Sequence, residues 1–284
     1  MNTNKDKEND LLAYLILTVA VLLILCLIGC AVLVIVRQVY TEDEPQTQPP
    51  TETESQTQSL PTQVDPLTVI LGETPDAGMK YIDKMIFFGE STTAHLRARG
   101  VLTGGTGTKQ VWADASGTRM LSSRTTSEPI LYPETGESLT ISEACAKAKP
   151  EYIVLCFGLN GINGFIQNKN SYVSAYNKLI GAIHEASPET KIILQTVYPV
   201  ADGNGSQAFG VEIATLNANI DTLNSWLPEI AAAHPNVRFA DTASVLKNAD
   251  GSLGASYNNG DGIHLSAEAY EAILAYLRTH AWQP

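Results

Sequence analysis

The sequence predicts a three-layer α/β/α domain on a five-stranded parallel sheet, preceded by one transmembrane helix. Three observations predict it. Short apolar runs alternate with amphipathic stretches from Leu67 onward. Polar clusters of reactive type sit directly after those runs. Leu11 to Val36 is apolar and free of charge.

The first strand is Met85-Ile86-Phe87-Phe88, closed by Gly89, and the second is Gln110 to Ala115. A helix around Ser142 to Ala148 and the breaker Pro150 lead into a third strand, Tyr152 to Phe157. An amphipathic helix from Tyr172 to Ala186 precedes the fourth, Ile192 to Val197. A long helical stretch from Val211 to Ala233 precedes the fifth, Val237 to Ala240. The last helix spans about Ala267 to Leu277, with Ser266 as its N-cap and Glu268 in its first turn. Strands alternating with helices give a parallel sheet covered on both faces, a flavodoxin-like arrangement. In such sheets ligands bind beyond the carboxyl ends of the strands, so chemistry is expected there.

Ahead of this domain the chain is organised differently. Residues 1–10 form a short polar tail, 11–36 the span, 37–66 a linker and 67–284 the folded domain. A helix over Leu11–Val36 is roughly 39 Å long, against roughly 30 Å of hydrocarbon, and so crosses with some tilt. A cleavable signal peptide has a shorter apolar region. Leu27-Ile28-Gly29-Cys30 resembles a lipoprotein box, but Ala31 to Val36 stays apolar after the Cys. Lys5 and Lys7 precede the span and Arg37 follows it, which favours an inside N-terminus and an extracytoplasmic C-terminal domain. Thr41 to Pro66 is rich in Thr, Gln, Pro and Glu and reads as a solvated stalk of at most roughly 80 Å. A cytoplasmic tether is the alternative.

Composition narrows the partners. The formal net charge of −12 disfavours nucleic acid and anionic lipid headgroups as ligands. Of the four cysteines, Cys26 and Cys30 lie in the span. Cys145 and Cys156 lie in the domain, where buried free thiols are commoner than a disulfide. No CxxC pair or HExxH run points to a metal, and no cofactor is expected.

Three clusters carry the chemistry. Gly89-Glu90-Ser91-Thr92 follows the first strand and presents a Ser at a helix start. Gly158-Leu159-Asn160-Gly161 follows the third and offers a side-chain amide. Asp261-Gly262-Ile263-His264 precedes the last helix, with Asp261 placed to accept from the His264 ring. Read singly, these are a helix cap, a turn Asn and a His near a helix start. Read together, they supply the nucleophile, base, orienting carboxylate and oxyanion donor that acyl transfer needs.

Gly89-Glu90-Ser91, Gly158-Leu159-Asn160 and Asp261-Gly262-Ile263-His264-Leu265 resemble blocks I, III and V of the SGNH/GDSL hydrolases, in order. Ala115-Ser116-Gly117-Thr118 resembles the remaining block. The similarity spans roughly Lys84 to the end of the chain. It implies Ser91 as nucleophile, His264 as acid-base and Asp261 as its orienter. It also implies an oxyanion hole from the Ser91 and Gly117 N–H groups and the Asn160 side chain. The chain departs from the family in having Glu90 for Asp and Gly161 where Asp tends to follow the Asn.

His95, one helical turn beyond Ser91, is a rival base without an Asp three residues before it. Thr103-Gly104-Gly105-Thr106-Gly107 is not followed by the Gly-Lys-Ser/Thr order of a phosphate loop and reads as ordinary loop. Trp112, Phe165 and Tyr198 read as core or as pocket wall, and Asn204-Gly205-Ser206 matches a glycosylation sequon. The expected function is a membrane-anchored extracytoplasmic serine esterase for small, acetyl-type esters of surface polysaccharide. An O-acetyltransferase with the same triad and a silent glycan-binding domain are the alternatives.

Overall fold

The computed structural model describes residues 65–113 and 119–283. The expected span Leu11–Val36, nearly all of the linker, and Gly117 lie outside them. Among the described residues no helix is long and apolar enough to cross a membrane.

The chain enters through a 3-10 turn, Pro66–Val69, capped by the Asp65 side chain, one residue ahead of the expected boundary. Helix α1 (Met79–Ile82) leads into β1 (Met85–Gly89) and α2 (Ser91–Arg99). Strand β2 is only Val111–Trp112, followed by the antiparallel pair β3 (Ile130–Leu131) and β4 (Ser138–Leu139). Then come α3 (Ile141–Ala148), β5 (Tyr152–Cys156), α4 (Ile162–Gln167) and α5 (Lys169–Ala186). The chain ends in β6 (Lys191–Gln195), α6 (Gly205–Phe209), α7 (Ile213–Ala232), β7 (Val237–Ala240) and α8 (Ala267–Thr279).

The main sheet has five strands in the order β2-β1-β5-β6-β7, all parallel. This is the doubly wound order in which the chain reverses beside its first strand. Alternate side chains divide the core in two. Phe88, Ile153, Leu155, Ile192 and Leu194 pack under α3, α4, α5 and α7. Phe87, Val154, Ile193 and Ala240 pack under α1, α2 and α8. The predicted layers are therefore present, with helices on both faces.

Several boundaries moved for identifiable reasons. The second strand is shorter than Gln110–Ala115: Gln110 keeps one ladder bond, its carbonyl accepting from the Phe87 N–H, while Ala113 turns to bridge Leu131 instead. Residues 114 and 115 lie outside the described part. Helix α3 starts one residue early because Thr140 and Glu143 close a reciprocal capping box. Helix α5 starts three residues early because the Asn168 side chain accepts from the Ser171 N–H. Cys145 and Cys156 are both free and buried, and the Cys156 thiol donates to the Thr196 carbonyl at 3.4 Å.

Candidate active site

The nucleophile candidate is set by a tight turn out of β1. A Cβ on Gly89 would sit 2.2 Å from the Thr93 hydroxyl and 2.5 Å from the Cys156 carbonyl, so only glycine fits. Glu90 then takes extended backbone and Ser91 opens α2. The first N–H groups of a helix have no partner within it, so the Ser91 N–H is available to a ligand oxygen.

The second component arrives on a turn held from three sides. Asp261 Oδ1 accepts the N–H groups of Ile263 and His264, each at 2.8 Å. Its Oδ2 lies 2.7 Å from His264 Nδ1. Asn258 Oδ1 accepts from the N–H groups of Gly260 and Gly262 at 2.9 and 3.0 Å. The 201–204 segment clamps the other side, with Ala201 N donating to the Gly262 carbonyl and Asn204 N to that of Asp261, both at 2.9 Å. Helix α8, capped by Ser266, fixes the exit. Its Tyr270 hydroxyl donates to the Thr92 carbonyl, and Arg99 donates back to the Leu265 carbonyl at 3.1 Å.

These two pieces meet. His264 Nε2 lies 2.9 Å from Ser91 Oγ, completing a hydrogen-bonded line from Asp261 through His264 to Ser91. An Asp accepting at Nδ1 places the ring's lone pair at Nε2, where it faces the hydroxyl. Burial alone would raise the Asp261 carboxyl, but the His264 N–H, its ring and the Ile263 N–H outweigh that and hold it at about 2. It therefore stays ionised, able to offset positive charge on His264. His95 does not compete for the hydroxyl. It lies against the face of the His264 ring, with centroids 4.1 Å apart.

Asn160 follows β5 on the neighbouring strand. Its Nδ2 donates to the Arg119 carbonyl at 3.1 Å, leaving the second amide hydrogen for another acceptor. The loop carrying it is held by a contact that sequence reading missed. The side chain of Glu90 is buried, and its two oxygens accept from the N–H groups of Gly158 and Asn160 at 2.9 and 3.0 Å. The residue before the nucleophile candidate thus ties down the loop of the oxyanion candidate. Gly161 adopts φ +91°, which suits glycine, and a Cβ there would come 3.0 Å from Met120 Sδ. Beyond it opens a cavity of about 690 Å³ lined in part by Met120, Gly161 and Phe165. Phe165 is thus both core and cavity wall, whereas Trp112 and Tyr198 are buried. The Gly105–Gly107 stretch is a 3-10 turn, and Thr103 before it is tied to Asp83 at 2.6 Å. Among the described residues no group of acidic, His or Cys side chains is placed to hold a metal ion.

Burial pushes the Glu90 carboxyl up to about 8, against the pull of the N–H groups of Asn160, Gly158 and Leu159. Between about 4.5 and about 8 the folded state then holds a proton that the unfolded chain has released. Stability is accordingly full below that window and falls as pH rises through it. The melting temperature should drop from about pH 5 to about pH 8, and Glu90→Gln should flatten the drop. A wild-type and Glu90→Gln pair with parallel profiles would mean that Glu90 is charged throughout.

A family model described as the GDSL-like Lipase/Acylhydrolase family matches residues 87–272, from β1 into α8. Among solved structures, a carbohydrate esterase family 3 protein from Talaromyces cellulolyticus is 15% identical, with a TM-score of 0.43 over 68% of this chain and 93% of that one. A family 3 carbohydrate esterase from Clostridium thermocellum is 15% identical, with a TM-score of 0.39 over 69% of this chain and 93% of that one. Likenesses of this degree say nothing of substrate. No curated protein matches the chain. The family match runs from within β1 to the start of α8, taking in Ser91, Asn160, Asp261 and His264, and the chain belongs to the GDSL-like lipase/acylhydrolase family of hydrolases.

Proposed function

We propose that the chain is a membrane-anchored, extracytoplasmic serine esterase for small, acetyl-type esters, with Ser91, His264 and Asp261 as its catalytic triad. The observation that carries this is the line of hydrogen bonds at 2.7 and 2.9 Å linking the three side chains. His264 takes the Ser91 proton as Oγ attacks the ester carbonyl. The resulting oxyanion is met by the Ser91 N–H and the Asn160 side chain, with the Gly117 N–H as the third expected donor. His264 then gives its proton to the leaving alcohol, and water repeats the cycle on the acyl-serine. Asp261 holds the ring in the required tautomer throughout.

The expected anchor over residues 11–36 and the stalk from Thr41 to Pro66 support acylated surface carbohydrate as substrate. The full chain expressed in its host should sediment with membranes, resist salt and carbonate washing, and lose its domain to protease added outside intact cells. It should also release acetate from acetylated xylan or peptidoglycan. Recovery in the soluble fraction would remove the anchor from this reading. Acetate transfer to a sugar acceptor without net release would replace hydrolysis by acyl transfer.

A further inference from the structure

Both nitrogens of His264 are engaged, Nδ1 by Asp261 and Nε2 by Ser91. What remains of the ring is its faces, and one is covered. His95 lies four residues after Ser91, one turn along the same side of α2. Its ring stacks on His264 with an interplanar angle of 30°.

We propose that His95 is a positioning residue for His264, a neutral aromatic platform that favours the imidazolium formed during acyl transfer and withdraws that support once it is itself protonated. This rests on the reading of Ser91 and His264 as nucleophile and base. Two effects support it. First, a π-face within stacking distance attracts a cation, and His264 carries positive charge once it has taken the Ser91 proton. Stabilisation is thus selective for the transition state. Second, the two rings cannot both carry charge cheaply at 4.1 Å. His95 is held on the neutral side by burial first, then by the positive fields of His264 and Arg99, with Asp261 pulling the other way. Those three groups are the charges acting on it, Arg99 from its own helix and the other two from the turn before α8.

The test compares wild type, His95→Phe and His95→Ala in the full chain, purified in detergent. Turnover of p-nitrophenyl acetate is followed against pH, alongside the imidazole titrations of His95 and His264 by nuclear magnetic resonance. His95→Phe keeps a platform without a titratable proton. Its plateau kcat should stay within about threefold of wild type, and its acid limb should follow a single proton. His95→Ala should lose about fivefold or more in kcat at nearly unchanged KM. The wild-type acid limb should steepen beyond one proton at its lower end. Equal plateaus and equal slopes in all three would overturn the proposal. So would equal losses in Phe and Ala, which indicate packing alone. If no form hydrolyses any ester, the esterase reading fails and the titrations still decide the coupling. A His264 titration unchanged by His95→Phe refutes it, and a two-step curve that becomes single supports it.

Discussion

Replacing Ser91 by Ala should lower ester turnover by about ten-thousand-fold or more while leaving the fold intact. The hydroxyl is half-buried and is hydrogen-bonded to His264 Nε2, so its loss empties no core site. Stability should change by less than about 1 kcal/mol. His264→Ala should cost about as much, since a serine hydroxyl without a base is a poor nucleophile at neutral pH. The double variant should be no worse than either single one, because the two groups act in one step. Rates for p-nitrophenyl acetate, beside thermal melts of each variant, check this. Losses that multiply in the double variant would mean that Ser91 and His264 serve separate events.

The second large effect concerns Asn160. Its side chain hangs on a loop pinned by two Glu90 oxygens, and its Nδ2 already meets the Arg119 carbonyl. That fixes the amide plane before substrate arrives, which is what makes a donor to a developing charge effective. Asn160→Ala should therefore lower kcat by about a hundred- to a thousandfold with little change in KM. The ground-state carbonyl asks little of the donor and the oxyanion asks much. A variant with raised KM and normal kcat would assign Asn160 to substrate binding. Glu90→Ala offers a related check, since freeing the loop should reproduce part of the kcat loss with the Asn160 side chain present.

Much of this architecture was legible in the residues because each signal is local. The strands are short apolar runs, the first closed by Gly89, and α8 announces itself through Ser266 and Glu268. The Asp261–His264 spacing is local too, since one carboxylate reaches the N–H groups and the ring three residues on. What escaped depends on contacts between distant segments. Glu90 looked like a departure from the family, yet its carboxyl accepts from the N–H groups of Gly158 and Asn160, some 70 residues away. The β3–β4 pair has two residues per strand, too short for any periodicity to register. The clamp from 201–204 onto the Asp261 turn is made by backbone groups, which leave no trace in side-chain pattern. His95 was visible as a neighbour of Ser91, but only the meeting of α2 with the turn before α8 shows that it faces the His264 ring rather than the hydroxyl.

The most direct test of the triad is covalent. The full chain is treated with a fluorophosphonate, which reacts preferentially with an activated serine, and the adduct is mapped by peptide mass spectrometry. A single adduct on Ser91 is expected, lost in His264→Ala and slowed in Asp261→Asn. An unmodified Ser91 in folded protein, or an adduct carried by another residue, would contradict it.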